Sequence, residues 1–297
     1  MTGVQTCALP ISTHDVERTV ADFTAGSAVT EVTTQTVGGG TGLPTGIYVD
    51  GIRNRVYWTD QTTDCIYYDD LDPSTTANVR TLLSGRTNPG YLAVDHFGPG
   101  GKSYLYWTED RYLYRVDLGA ASPTPEIRYT GFSSPESTAH GMAIDEVNRW
   151  IYFIIEDGSR NAHWLYRQDL DGAAGSVDSA WKFDVGNKSP TDLEIDVVNQ
   201  DLYYVHTLAD KIYVIDIASN PPDEDVYYSN SNNIYGMDID PVAGYLYLSI
   251  SNDDTIERRS FSTPDTLLAT LTVGDSPGDI DLESGAGYGS FDPNTTI

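Results

Sequence analysis

Residues 46–71 read GIYVDGIRNRVYWTDQTTDCIYYDDL. Three short runs, GIYVD, RVYWTD and CIYYDDL, are rich in β-branched and aromatic residues and are separated by Gly51, Asn54 and Asp64. Such runs, punctuated by Gly, Asn and Asp, read as strands joined by tight turns. None alternates strictly between apolar and polar residues, so each is expected to be covered on both faces.

The stretch is one unit of a repeat. Apolar strands end at Asp50, Asp95, Asp145, Asp196, Asp240 and Asp281, at spacings of 45, 50, 51, 44 and 41 residues. A turn and an aromatic strand follow: RVYWTD, YLYWTE, WIYFIIED, DLYYVHT and YLYLSIS. A third strand comes next, as in YLYRVDL or KIYVIDI, and a weaker fourth closes the unit. Four short strands in a repeat of this length make a propeller blade, and no long segment has helical periodicity. The expected fold is all-β: a six-bladed β-propeller of four-stranded antiparallel blades, one domain over residues 13–297. Residues 15–39 align with the tail of the fifth unit, so the last blade is expected to be closed by both termini.

Residues 1–11, MTGVQTCALPI, resemble the in-frame translation of a sequencing adapter. Residues 1–12 are therefore expected to be a non-native tail on a metagenomic sequence whose own start is missing. No run of 18 apolar residues occurs in the 297, so no membrane insertion is expected in the visible chain.

Lys and Arg number 17 against 44 Asp and Glu, a net charge of -27. That field repels phosphate backbones and anionic bilayers, so nucleic acid is not an expected partner. The two cysteines, Cys7 and Cys65, make neither a disulfide framework nor a zinc motif.

Tyr57-Trp58-Thr59-Asp60 is a full YWTD tetrapeptide, and Tyr106-Trp107-Thr108-Glu109 departs from it by one residue. Asp169-Leu170-Asp171-Gly172 completes the pattern after a later aromatic strand. Over residues 42–284 the chain resembles the YWTD, or low-density-lipoprotein-receptor class B, repeats of six-bladed propellers. The later units lose the tetrapeptide: Tyr152-Phe153-Ile154-Ile155, Tyr203-Tyr204-Val205-His206 and Tyr247-Leu248-Ser249-Ile250. No cysteine-rich module flanks the repeats, which points to a microbial relative. The resemblance implies a protein-binding face where the inner strands begin.

That face is expected to carry Tyr91, His140, Asp192 and Tyr235 at the channel mouth, ringed by Asp60, Glu109, Asp157 and Asp253. Exposed aromatics among acids make a docking surface, because aromatics supply affinity and charges steer. The expected function is non-catalytic recognition, extracellular or surface-displayed, by a monomer engaging a protein or glycan ligand. The alternative is a metal-dependent lactonase-, hydrolase- or lyase-like enzyme at the same mouth, with His140 and Asp192 as an acid–base or metal pair. No nucleophile elbow, phosphate loop or His-Glu-x-x-His motif appears. No cofactor is expected, except that acidic loops such as Asn252-Asp253-Asp254 offer hard oxygens suited to Ca2+. His163 and His206 share no ligand spacing with His140 and read as isolated.

Overall fold

The computed structural model describes residues 6–10, 16–22, 30–38, 44–71, 78–110, 112–130, 139–157, 162–175, 177–188, 190–219, 222–230, 232–273 and 277–282. Each repeat unit folds into one antiparallel sheet whose strands lie side by side in chain order. Blade 1 comprises Pro44–Asp50, Arg55–Asp60, Cys65–Asp70 and Arg80–Ser84; blade 2 comprises Pro89–Gly98, Lys102–Glu109, Tyr112–Asp117 and Glu126–Tyr129. Blade 3 comprises Ala139–Asp145, Trp150–Asp157, Ala162–Asp169 and Val177–Gly186. Blade 4 comprises Pro190–Asp196, Asp201–His206, Lys211–Asp216 and Asp223–Ser229; blade 5 comprises Ile234–Asp240, Tyr245–Ile250, Thr255–Ser260 and Leu267–Thr272. The only helix among the described residues is a three-residue 3-10 turn, Thr207–Ala209, and no helix is long and apolar enough to cross a membrane.

The expectation of six blades is corrected here: the propeller has five blades of consecutive strands. The four strands that remain form a closing sheet of another kind, in the order Ile280–Leu282, Thr6–Pro10, Val16–Asp22, Thr30–Gly38. Its inner strand is three residues long and lies between the inner strands of blades 5 and 1. So short a strand cannot propagate its own hairpins, and it is paired instead by Thr6–Pro10, inside the segment that resembles an adapter.

Aromatic pairs explain why the strands are apolar on both faces. In the second strand of each blade, one residue faces the following blade and its neighbour faces the preceding one. Tyr57 and Trp107 fill the wedge between blades 1 and 2. Tyr106 and Phe153 fill the next, Tyr152 and Tyr204 the third, and Tyr203 and Leu248 the fourth. Blades diverge from the axis, and large rings fill that widening space.

The aspartates that end the inner strands hold the far end of the molecule. Asp50, Asp95, Asp145 and Asp196 are fully buried. Asp145 Oδ1 accepts the N–H groups of Val147 and Asn148 at 3.0 and 2.8 Å, fixing the hairpin turn. A residue of the following blade then reaches back. Arg149 clamps both oxygens of Asp95 at 2.7 Å. His96 bridges Asp50 of blade 1 and Glu146 of blade 3, at 3.0 and 2.8 Å.

Candidate functional site

The inner strands surround a channel of about 560 Å³. They approach closely at the mouth: a Cβ on Gly46 would lie 2.8 Å from the Gly90 carbonyl oxygen. Gly141, at φ +62, would meet Leu193 Cβ at 2.8 Å. Blade 4 has Asp192 where blades 1, 3 and 5 have Gly46, Gly141 and Gly236. At that register position only blade 2, with Tyr91, and blade 4, with Asp192, carry a side chain.

Two sides of the channel differ. Blades 1 to 3 line it mainly with apolar and aromatic side chains, Tyr48, Tyr91, Ala93 and Met142 among them, and with one acid, Glu146. Blades 4 and 5 and the closing sheet line it with Asp192, Glu194, Asp238, Asp279 and Asp281. No lysine, arginine or histidine is among the described residues lining it. The acids hold neighbouring inner strands together. Asp192 Oδ1 and Oδ2 accept N–H groups from Leu193 at 2.8 Å and Met237 at 2.6 Å. Asp279 and Asp281 accept from Ile47 at 3.2 Å and Val49 at 2.7 Å, which joins the closing sheet to blade 1.

Burial, which disfavours charge, pushes the Asp192 carboxyl up to about 7. Burial and then the neighbouring Asp238 raise Glu194 well above the usual carboxylate range. Asp279 is raised by burial and by Asp192, and Asp281 by burial and by Asp238. Asp281 also shares a side-chain hydrogen bond with Asp238, which requires a proton on one of the two. Burial and mutual repulsion thus favour the protonated form of these acids, in which a carboxyl group can donate as well as accept a hydrogen bond.

Of the residues expected at the mouth, three come together. Tyr91 and Asp192 line the channel, and Tyr235, the most exposed of the set, stands beside them. Burial raises both phenols, with Asp279 and Asp192 adding to the effect on each. His140 is engaged elsewhere: its Nε2 lies 3.3 Å from Glu156 Oε2, and its ring meets that of His163 edge-on at 5.5 Å.

The rim residues divide. Asp60 and Glu109 are buried. Asp60 Oδ1 accepts from the N–H groups of Thr62 and Thr63 at 2.9 and 3.0 Å. Glu109 accepts from Trp107 Nε1 at 2.9 Å and Thr87 N–H at 3.0 Å. Asp253 is exposed and accepts from Asn232 Nδ2 at 3.0 Å. The side chain of Asp157 lies outside the described residues.

Sequence reading found Asp192 but missed Glu194, Asp238, Asp279 and Asp281 in the channel, and the histidine cluster. A register signal marks three of those acids. Two residues before each terminal Asp stand Tyr48, Ala93, Ala143, Glu194, Asp238 and Asp279. In the five blades this position pairs with the tyrosine that begins the aromatic core of the second strand: Tyr57, Tyr106, Tyr152, Tyr203 or Tyr247. Acids at one register position in consecutive units belong to one face of one channel.

The chain matches no protein-family model and no curated protein. Solved structures share its fold. A nidogen/laminin complex structure aligns with TM-score 0.72 at 14% identity, covering 93% of this chain and 98% of that one. A luciferin-regenerating enzyme aligns with TM-score 0.62 at 14% identity, covering 80% and 78%. The calcium-binding protein regucalcin from Agrobacterium tumefaciens aligns with TM-score 0.61 at 13% identity, covering 80% and 77%. Identities this low establish a β-propeller and nothing finer.

Proposed function

We propose that this propeller is a non-catalytic recognition module of the YWTD kind, extracellular or surface-displayed, that engages a protein or glycan partner at its channel mouth. The observation that carries this reading is the state of Asp192. Both of its oxygens accept backbone N–H groups, so it builds the mouth and holds blade 4 to blade 5. His140, its intended partner in acid–base chemistry, pairs with Glu156. What the mouth offers a partner is an exposed tyrosine, Tyr235, beside Tyr91 and buried acids: an aromatic anchor with hydrogen-bonding groups around it. The likeness to the propeller of a nidogen/laminin complex supports protein recognition as a use of this fold.

The test is binding to a glycan array and to soluble extracellular proteins, followed by calorimetry with the partner found. Tyr235→Ala is expected to weaken that partner at least about tenfold, equivalent to about 1.4 kcal/mol. Val198→Ser, in a hairpin at the opposite end of the channel, is expected to leave affinity unchanged. The reverse pattern would move the working face to that end.

One observation favours the enzyme alternative. A carboxyl group whose proton leaves near pH 7, as at Asp192, suits general acid catalysis. Turnover on a lactone and ester panel that is lost in Asp192→Asn would establish that alternative.

A further inference from the structure

His140, Glu156 and His163 stand on three successive strands of blade 3, and their ligand-capable atoms lie within 4.8 Å of one another. Strand pairing explains this. Glu156 and His163 are direct cross-strand partners, and His140 pairs with Ile154, two residues before Glu156. Ile154 and Leu165 pack in the wedge between blades 3 and 4. Strand alternation therefore directs Glu156 and His163 into that wedge, at the end where the inner strands begin.

We propose that this trio binds a zinc-class divalent ion, at a place distinct from the acidic channel. Two imidazoles and one carboxylate suit zinc, whereas Ca2+ seeks six or more oxygens. His163 Nδ1 lies 3.0 Å from the Gly186 carbonyl oxygen, to which it must donate. That bond fixes the tautomer and leaves the Nε2 lone pair for a metal, as an outer-shell carbonyl does for a ligating histidine. His140 Nε2 and Glu156 Oε2 are 3.3 Å apart, close to the roughly 3.4 Å edge of a tetrahedron with bonds of about 2.1 Å. His163 is buried, while His140 and Glu156 are partly exposed, so an ion can enter from solvent.

A second observation lies on blade 4. His206 is 9% exposed, and its Nδ1 is buried without a hydrogen-bond partner among the described residues. It follows Tyr204 by two residues in the same strand, and Tyr204 faces the same wedge. A third imidazole thus stands on the blade that faces the trio.

The experiment uses the full chain after chelator treatment, with ZnCl2 alone as probe. Calorimetry is expected to give one zinc per chain, with CaCl2 binding at least about 100-fold more weakly at this site. Co2+ is expected to show the intense visible bands of a four-coordinate ion. His163→Ala and Glu156→Gln are each expected to weaken zinc at least about 30-fold; Glu156 is partly exposed, so that variant folds even if the histidine variant does not. Cys65→Ser, which removes the buried thiol, is expected to change nothing. Absence of stoichiometric zinc, or zinc retained unchanged in Glu156→Gln, would overturn the site. Neither outcome bears on partner recognition at the mouth.

Discussion

Thr59 Oγ1 accepts the Gly46 N–H at 2.9 Å and donates to the Gly90 carbonyl at 2.8 Å. One hydroxyl thereby ties the inner strand of blade 1 to that of blade 2 at the point where the glycines allow close approach. Ser249 does the same in blade 5, accepting from Gly236 at 2.7 Å and donating to Gly278 at 2.6 Å. The threonine of the tetrapeptide is thus a fastener that any hydroxyl can replace. Thr59→Val keeps the shape but leaves a buried N–H and a buried carbonyl unpaired, which costs about 1–3 kcal/mol. Urea denaturation of the valine variant is expected to show that loss, and Thr59→Ser to lose less than about 1 kcal/mol. Equal losses would mean that the methyl group, not the hydroxyl, sustains the contact. The tetrapeptide was legible as a motif; its hydrogen-bond partner, 31 residues away, was not.

Blades are joined by single side chains, and His96 spans three of them. Burial works against its charge, but its hydrogen bonds to Asp50 and Glu146 prevail and push its pKa up to about 9 from 6.5. A base whose folded pKa is raised stabilises fully below its unfolded value, and that contribution fades as pH climbs through the folded value. The stability from His96 is therefore present below about pH 6.5 and gone above about pH 9. Asp192, raised from 3.8 to about 7, acts in the same direction at lower pH, since ionising it in the fold is harder than in the unfolded chain. The melting temperature is expected to fall as pH rises from 6.5 to 9, and His96→Gln to flatten that fall. A wild-type profile that rises over this range would contradict the assigned charge. Each inner strand was readable by its terminal Asp, but the residue that reaches back differs by blade. Arg149 and Gln200 both stand four residues after a terminal Asp, at positive φ, whereas His96 directly follows one; the three side chains differ in kind, so the position is readable but its partner is not.

At the scale of the whole molecule, closure depends on the two ends of the chain. Thr6–Pro10 pairs with Val16–Asp22 on one side and Ile280–Leu282 on the other. Removing residues 1–12 leaves Ile280–Leu282 without its sheet partner. The melting temperature of the truncated protein is expected to drop by at least about 4 °C, on the order of 1–2 kcal/mol for a domain of this size. An unchanged melting temperature would make that strand a passenger, in keeping with its resemblance to an adapter.

Sequence alone determined the strands, their repeat and the all-β propeller. Those follow from local chemistry: aromatic and β-branched runs, turn residues, and an aspartate at a constant place in each unit. Tertiary structure decided how the ring closes. A three-residue strand has no periodicity to reveal its partner, and six equal blades gave way to five with a composite sheet. Three-dimensional packing also decided which acids share a channel and which histidines meet. Glu156 and His163 are neighbours across one hairpin of blade 3, but His206 joins their surroundings only when blade 4 faces blade 3 across a wedge, and no spacing along the chain encodes that approach.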